Sequence, residues 1–140
     1  MLSGEKIEGQ TNDNCFGCGR ENSIGLKLSF HSDGGSVKAE FIPSNLYEGY
    51  PGYVHGGIIF AVLDEAMGWA AYDLSSGVFA VTARSEIRFR RPVPIGQPFT
   101  ITGSITRKTR KFIWTKATIR RKDGMLAAEA TAIMVVSQSN

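Results

Sequence analysis

No apolar run in the chain approaches the roughly 18 consecutive residues that a membrane-spanning helix requires, so no span is expected. The opening, MLSGEKIEGQTNDN, contains no apolar segment either, which argues against a signal peptide or an anchor. A cytoplasmic protein is the expectation, with residues 1–13 as a loose tail. Internal repeats, low-complexity tracts and Pro-rich linkers are also missing. One domain over residues 14–138 follows, and 140 residues suffice to bury a substantial core.

Cysteine and histidine are scarce. Cys15 and Cys18, in NCFGCGREN, are the only thiols, and His31 and His55 the only imidazoles. A lone C-x-x-C is half a zinc site, but there is no second pair and the two histidines lie far apart in sequence. A redox dithiol belongs beside a β-α-β pattern, which this chain does not show. Two readings stay open, a metal shared between subunits and a Gly-rich turn carrying two reduced thiols.

A strong excess of either charge is missing too, the net being +3. The basic residues are nevertheless uneven: of 16 Lys and Arg, all but Lys6, Arg20, Lys27 and Lys38 lie in the C-terminal half. This fits a solvated outer sheet face, or equally a surface for a phosphorylated ligand. Nucleic acid is not expected, because the cations are spread over strand ends without a binding motif.

What the chain does contain is alternation. LKLSFHS (26–32) and SVKAEFIP (36–43) alternate as strands, and Asp33-Gly34-Gly35 between them signals a hairpin turn. GGIIFAVLDEAMGWAAYDL then reads as one helix from about Gly57 to Asp73, closed by Ser75-Ser76-Gly77. It is hydrophobic almost all round and must be covered on most sides. Four strand patterns follow, at 78–92, 98–108, 111–122 and 125–136, with short connections that predict antiparallel neighbours in a meander. The expected fold class is α+β, an antiparallel sheet of about six strands wrapped around one long central helix.

Two features of that helix suggest chemistry. His55-Gly56-Gly57 puts flexible backbone at its N-terminus, where amide N–H groups lack partners and the dipole is positive. Such a place can receive a carbonyl oxygen that becomes an oxyanion, although two glycines also simply make a tight turn. Asp64 and Glu65 interrupt the apolar run, and a buried carboxylate is costly unless hydrogen-bonded or wet. At about 100° per residue, Asp64 shares a mostly small face with Gly57, Phe60, Ala61, Gly68 and Ala71, which suits close packing across an interface. Either one of the two acids is chemical or both are structural. From Gly56 to Asp64 the helix rises about 12 Å, whereas reacting groups must approach within about 3.5 Å. The two features can serve one carbon only if two copies meet about a two-fold axis, which predicts a dimer with composite sites.

The stretches CFGCGRENSIGLKL, YEGYPGYVHGGIIFAVLDEAMG and RFRRPVPIGQ resemble the hotdog-fold acyl-CoA thioesterases of the phenylacetate-pathway (PaaI-like) type, over residues 14 to 136. The resemblance implies a hotdog fold, dimers often paired into tetramers, and cleavage of acyl-CoA thioesters without metal or cofactor. It assigns the family's carboxylate to Asp64, as nucleophile or general base, and the polarising amides to Gly56 and Gly57 of the partner subunit. It gives His55 a part in placing the substrate carbonyl or thiolate, and makes Thr82 the hydroxyl that positions water. Glu48, Glu65, Arg84, Arg88, Arg90 and Arg91 complete the candidate substrate-binding set, the arginines as partners for coenzyme A phosphates. Many relatives carry Asn or Gln where this chain has Gly49, which keeps a non-catalytic acyl-CoA binder as the alternative. A hydratase on the same fold is less expected, since Tyr50 stands where its catalytic acid belongs.

Overall fold

The computed structural model describes residues 4–7 and 14–137. Helix α1 (Gly56–Asp73) begins where His55 caps it, Nδ1 accepting a hydrogen bond from Gly57 N at 2.8 Å. It ends where Ser76 and Gly77 adopt positive φ (58° and 85°) and Gly77 N–H turns back to Tyr72 O at 2.8 Å. Ile59, Val62, Leu63, Ala66, Met67, Ala70 and Ala71 form its buried side. No helix among the described residues is long and apolar enough to cross a membrane.

Around α1 lies one antiparallel sheet of six strands: β1 (His31–Ser32), β2 (Val37–Phe41), β3 (Ala80–Phe89), β4 (Phe99–Lys108), β5 (Phe112–Arg121) and β6 (Leu126–Val136). The spatial order is β1-β2-β4-β5-β6-β3, and α1 packs against β2 through β6. Helix and sheet come close at Gly103 of β4, where an added Cβ would sit 2.5 Å from Ala66 O. A side chain there would push helix and sheet apart, so glycine is a packing requirement at this position.

Two expectations are corrected. The last four strands are not one meander, because β3 pairs with β6 while β4 pairs with β2 and β5. The short connection misled: residues 90–98 can span about 30 Å when extended, whereas crossing from β3 over β6 and β5 to β4 needs only about 15 Å. The strand expected over 26–32 shrinks to His31–Ser32, since Lys27 takes φ of 53° and breaks the ladder. Leu26, Leu28 and Phe30 are still buried. The alternation thus marked a core-facing segment, whose backbone bonds the cysteine turn: Leu26 N–H to Phe16 O at 2.7 Å and Leu28 N–H to Gly17 O at 2.9 Å.

Of the expected tail, Ser32 N–H donates to Glu5 O at 2.8 Å and Ile7 N–H to Phe30 O at 2.9 Å. The remainder of that tail, apart from Gly4 and Lys6, lies outside the described residues.

Candidate active site

Asp64 points from α1 toward β3, where its Oδ1 accepts a hydrogen bond from Thr82 Oγ1 at 2.7 Å. The β3–β6 register slips between Thr82 and Arg84, a bulge of the kind that re-aims a strand side chain. A hydroxyl donating to a carboxylate at this distance is a charge-assisted bond, and it fixes the rotamer of the acid. Asp64 is half-buried, and the helix surface around it carries Gly57, Ala61 and Gly68, with Phe60 left 41% exposed. Strand β3 is itself an edge of the sheet, and its Val81 is 63% exposed and its Phe89 61%. An acid held in one orientation therefore stands beside apolar surface that this chain alone does not cover.

At the helix N-terminus the donors divide. Gly57 N–H is taken by His55 Nδ1, whereas Gly56 N–H donates to no described group. Because Nδ1 accepts, neutral His55 carries its proton on Nε2. Gly56 opens into a cleft of about 270 Å³ lined also by Phe89, Arg90, Arg91 and Pro92. Arg90 Nε is held by Glu129 Oε2 at 3.1 Å, and Arg91 Nη1 by Leu126 O at 2.7 Å. Arg84 and Arg88 stand apart from this cleft: Arg84 lines a groove with Trp114, and Arg88 is 4.0 Å from Glu86. Glu48 closes its own loop, Oε2 accepting from Gly52 N at 2.6 Å. Gly49 is packed against His55, whose Cα would lie 2.8 Å from an added Cβ. A side chain at this position would therefore require the helix cap to shift.

Glu65 turns away from Asp64 into a second set of residues that sequence reasoning did not assemble. Its Oε1 accepts from Cys15 Sγ at 3.5 Å, and Gly17 lies so close that any side chain there would collide with the carboxylate. Burial pushes the Glu65 carboxyl above its usual range and the Asp64 charge adds to this, while hydrogen bonds from Cys15 and Trp69 act the other way. Burial likewise pushes the Cys18 thiol up to about 12, helped by its hydrogen bond with Cys15 and the Glu65 charge and opposed by Arg20. Tyr47, a second residue whose role was not foreseen, ties the neighbouring loop down by donating to Gly25 O at 2.7 Å. No periodicity marks such contacts, which span 22 positions between Gly25 and Tyr47 and 50 between Cys15 and Glu65.

Comparison with known proteins bears on the family and the fold. The sequence model of the Thioesterase superfamily matches residues 51–128, more than half of the chain and all of α1 and β3. Acyl-coenzyme A thioesterase THEM4 of Xenopus laevis is 33% identical over 96 residues, covering 68% of this chain and 42% of that protein. The chain therefore spans less than half the length of that relative. A Streptococcus mutans protein solved with acetyl-CoA superposes with a TM-score of 0.72 at 25% identity, over 81% of this chain and 90% of that one. PaaI of the Escherichia coli phenylacetic acid degradation operon gives a TM-score of 0.75 at 21% identity, over 82% of this chain and 83% of its own, a likeness of fold. The six-stranded sheet around one helix is the hotdog fold, and the chain belongs to the thioesterase superfamily.

Proposed function

We propose that the chain hydrolyses acyl-CoA thioesters at composite sites formed by two copies. The observation that carries this reading is the Thr82–Asp64 hydrogen bond, which holds a carboxylate at an uncovered sheet edge. A long edge strand with unpaired backbone groups invites pairing with another strand, and β3 of a second copy would continue the sheet. Such pairing would bring the Gly56 end of one α1 toward the Asp64 of the other, which the helix rise of about 12 Å forbids within one chain. Pairing of two such dimers into a tetramer is the further expectation, in keeping with a cytoplasmic enzyme of this superfamily.

In the reaction, Asp64 acts as general base for water or attacks the thioester carbon itself, with Thr82 positioning the acid or the water. The Gly56 N–H of the second copy polarises the carbonyl as its oxygen gains charge. His55, protonated on Nε2, can hydrogen-bond the carbonyl or the departing thiolate as the C–S bond breaks. Attack by water gives the free acid directly, whereas attack by Asp64 leaves a mixed anhydride that a water then hydrolyses. On either route a proton from that water ends on coenzyme A. Arg90 and Arg91, in the cleft with Gly56, are the best placed of the four arginines to meet coenzyme A phosphates. The names of the relatives support the substrate class: one is called an acyl-coenzyme A thioesterase, and another was solved with acetyl-CoA.

The test is a panel of aryl and short- to medium-chain acyl-CoAs assayed for free thiol. Asp64→Ala should reduce release by a factor of about 10² to 10⁴, with the oligomer intact by ultracentrifugation. Full activity in Asp64→Ala together with its loss in Glu65→Ala would overturn the assignment. Gly49, where the family resemblance expects an amide side chain, favours one second reading, an acyl-CoA binder without turnover. Measurable CoA-ester binding with no thiol release across the panel would select it.

A further inference from the structure

The mechanism makes no use of Cys15, Cys18 and Glu65, yet their three donor atoms all lie within 4.8 Å of one another. We propose that the two cysteine sulfurs and the Glu65 carboxylate form a binding site for a thiolate-preferring divalent metal ion of the zinc type. C-x-x-C is the usual spacing by which one turn supplies two thiolates to zinc. What the sequence left short was a further ligand, and the fold supplies it from the central helix. The 3.5 Å between Cys15 Sγ and Glu65 Oε1 is also about the S···O separation of two ligands on one tetrahedral zinc, given bonds of about 2.3 and 2.1 Å.

The frame is built for this convergence. Gly19 N–H closes the turn on Cys15 O at 2.9 Å, and backbone bonds from Leu26 and Leu28 fasten it to the buried segment behind. Gly17 leaves room for the carboxylate where any side chain would strike it. The mostly buried acid has the weak Cys15 thiol and the Trp69 indole as donors, and a divalent cation would bring both sulfurs and the carboxylate to one centre.

The same residues line a cleft of about 220 Å³ walled by Gly68, Trp69, Tyr72 and Phe79. The fourth coordination position would face this cleft and take water or a small oxygen, nitrogen or sulfur donor, as in zinc sites with three protein ligands. The site is separate from the Asp64 chemistry, although the neighbouring carboxylate would feel the charge.

The experiment uses the full chain, reduced, stripped with a chelator and titrated with cobalt(II). The expected result is saturation at one cobalt per chain, with a thiolate-to-cobalt band in the near ultraviolet and the visible bands of a tetrahedral ion, all displaced by zinc. Cys18→Ser should weaken binding by about a hundredfold or more and diminish the thiolate band, and Glu65→Gln by about tenfold or more. Absence of a thiolate band at large cobalt excess overturns the proposal, and so does unchanged affinity in Glu65→Gln. Should a cysteine variant fail to fold, Glu65→Gln carries the test, because glutamine keeps the size of the side chain.

Discussion

Replacing Thr82 by valine removes one hydroxyl and little else. Valine keeps the branched shape and suits an edge strand, so the bulge at Ala83 and the β3–β6 pairing should persist. What disappears is the 2.7 Å bond to Asp64 Oδ1. A hydrogen bond to a charged group contributes about 1.5–3 kcal/mol, and each 1.36 kcal/mol off the barrier is tenfold in rate. If the bond orients the acid for reaction, Thr82→Val should lower kcat by about 10- to 150-fold. KM should move little, since Thr82 acts through Asp64 and is no part of the cleft at Gly56. The assay is thiol release under saturating acyl-CoA, with Tm recorded alongside to exclude general destabilisation. Thr82→Ser keeps the oxygen and should recover most of the rate. A kcat within about twofold of wild type in Thr82→Val refutes the reasoning, as does a loss expressed only in KM.

Two further outcomes test the fold and the second acid. In Gly103→Ala the new methyl would stand 2.5 Å from Ala66 O, a backbone atom that cannot rotate away. Overpacking of this kind costs about 1–3 kcal/mol, so Tm should fall by roughly 4–12 °C in thermal unfolding. In Glu65→Gln, stability should lose a pH dependence. The folded-state pKa of Glu65 is raised above its ordinary 4.5, so its contribution is fully present below that value and is lost as pH rises through the folded one. With a chelator present, the Tm of Glu65→Gln relative to wild type should therefore improve from acid toward neutral pH. A difference that is flat with pH would contradict it.

The sequence made the helix and the site's outline legible because both rest on local rules. An unbroken apolar run without proline predicts a helix wherever it lies, and two acids within it stand out against any neighbours. Thr82 was named through family resemblance, as a hydroxyl that positions water, and no spacing rule would have produced its bond to Asp64, because 18 residues and a change of element separate the two. Strand order was misread for a related reason. Pairing is decided by which edges the core leaves open, and a nine-residue connection reaches past two strands as readily as to the nearest one. Leu26, Leu28 and Phe30 show the reverse case, in which burial was legible while its cause was not. Their alternation reflects contact with the core, yet the hydrogen bonds of Leu26 and Leu28 go to the cysteine turn.

Adjacent acids on one helix point about 100° apart, and that angle separates the environments of Asp64 and Glu65. Asp64 meets a hydroxyl on an edge strand, beside small residues and exposed Phe60, where a second copy or water has access. Glu65 meets two thiols and a glycine under a fastened loop, with Trp69 beside it. Desolvation works against the charge of Glu65, and the neighbouring charge of Asp64 adds to it, so the pair is easiest to keep when only one member needs to be ionised. A proton on Glu65 would meet that requirement in the absence of metal. A divalent cation would meet it differently, by neutralising the charge of Glu65. Either way Glu65 can stand next to Asp64 because the Cys15–Cys18 turn covers it. Removing that turn should thus return Glu65 to water and relieve the burial that raises its pKa, even though no atom of the turn belongs to the Asp64 site.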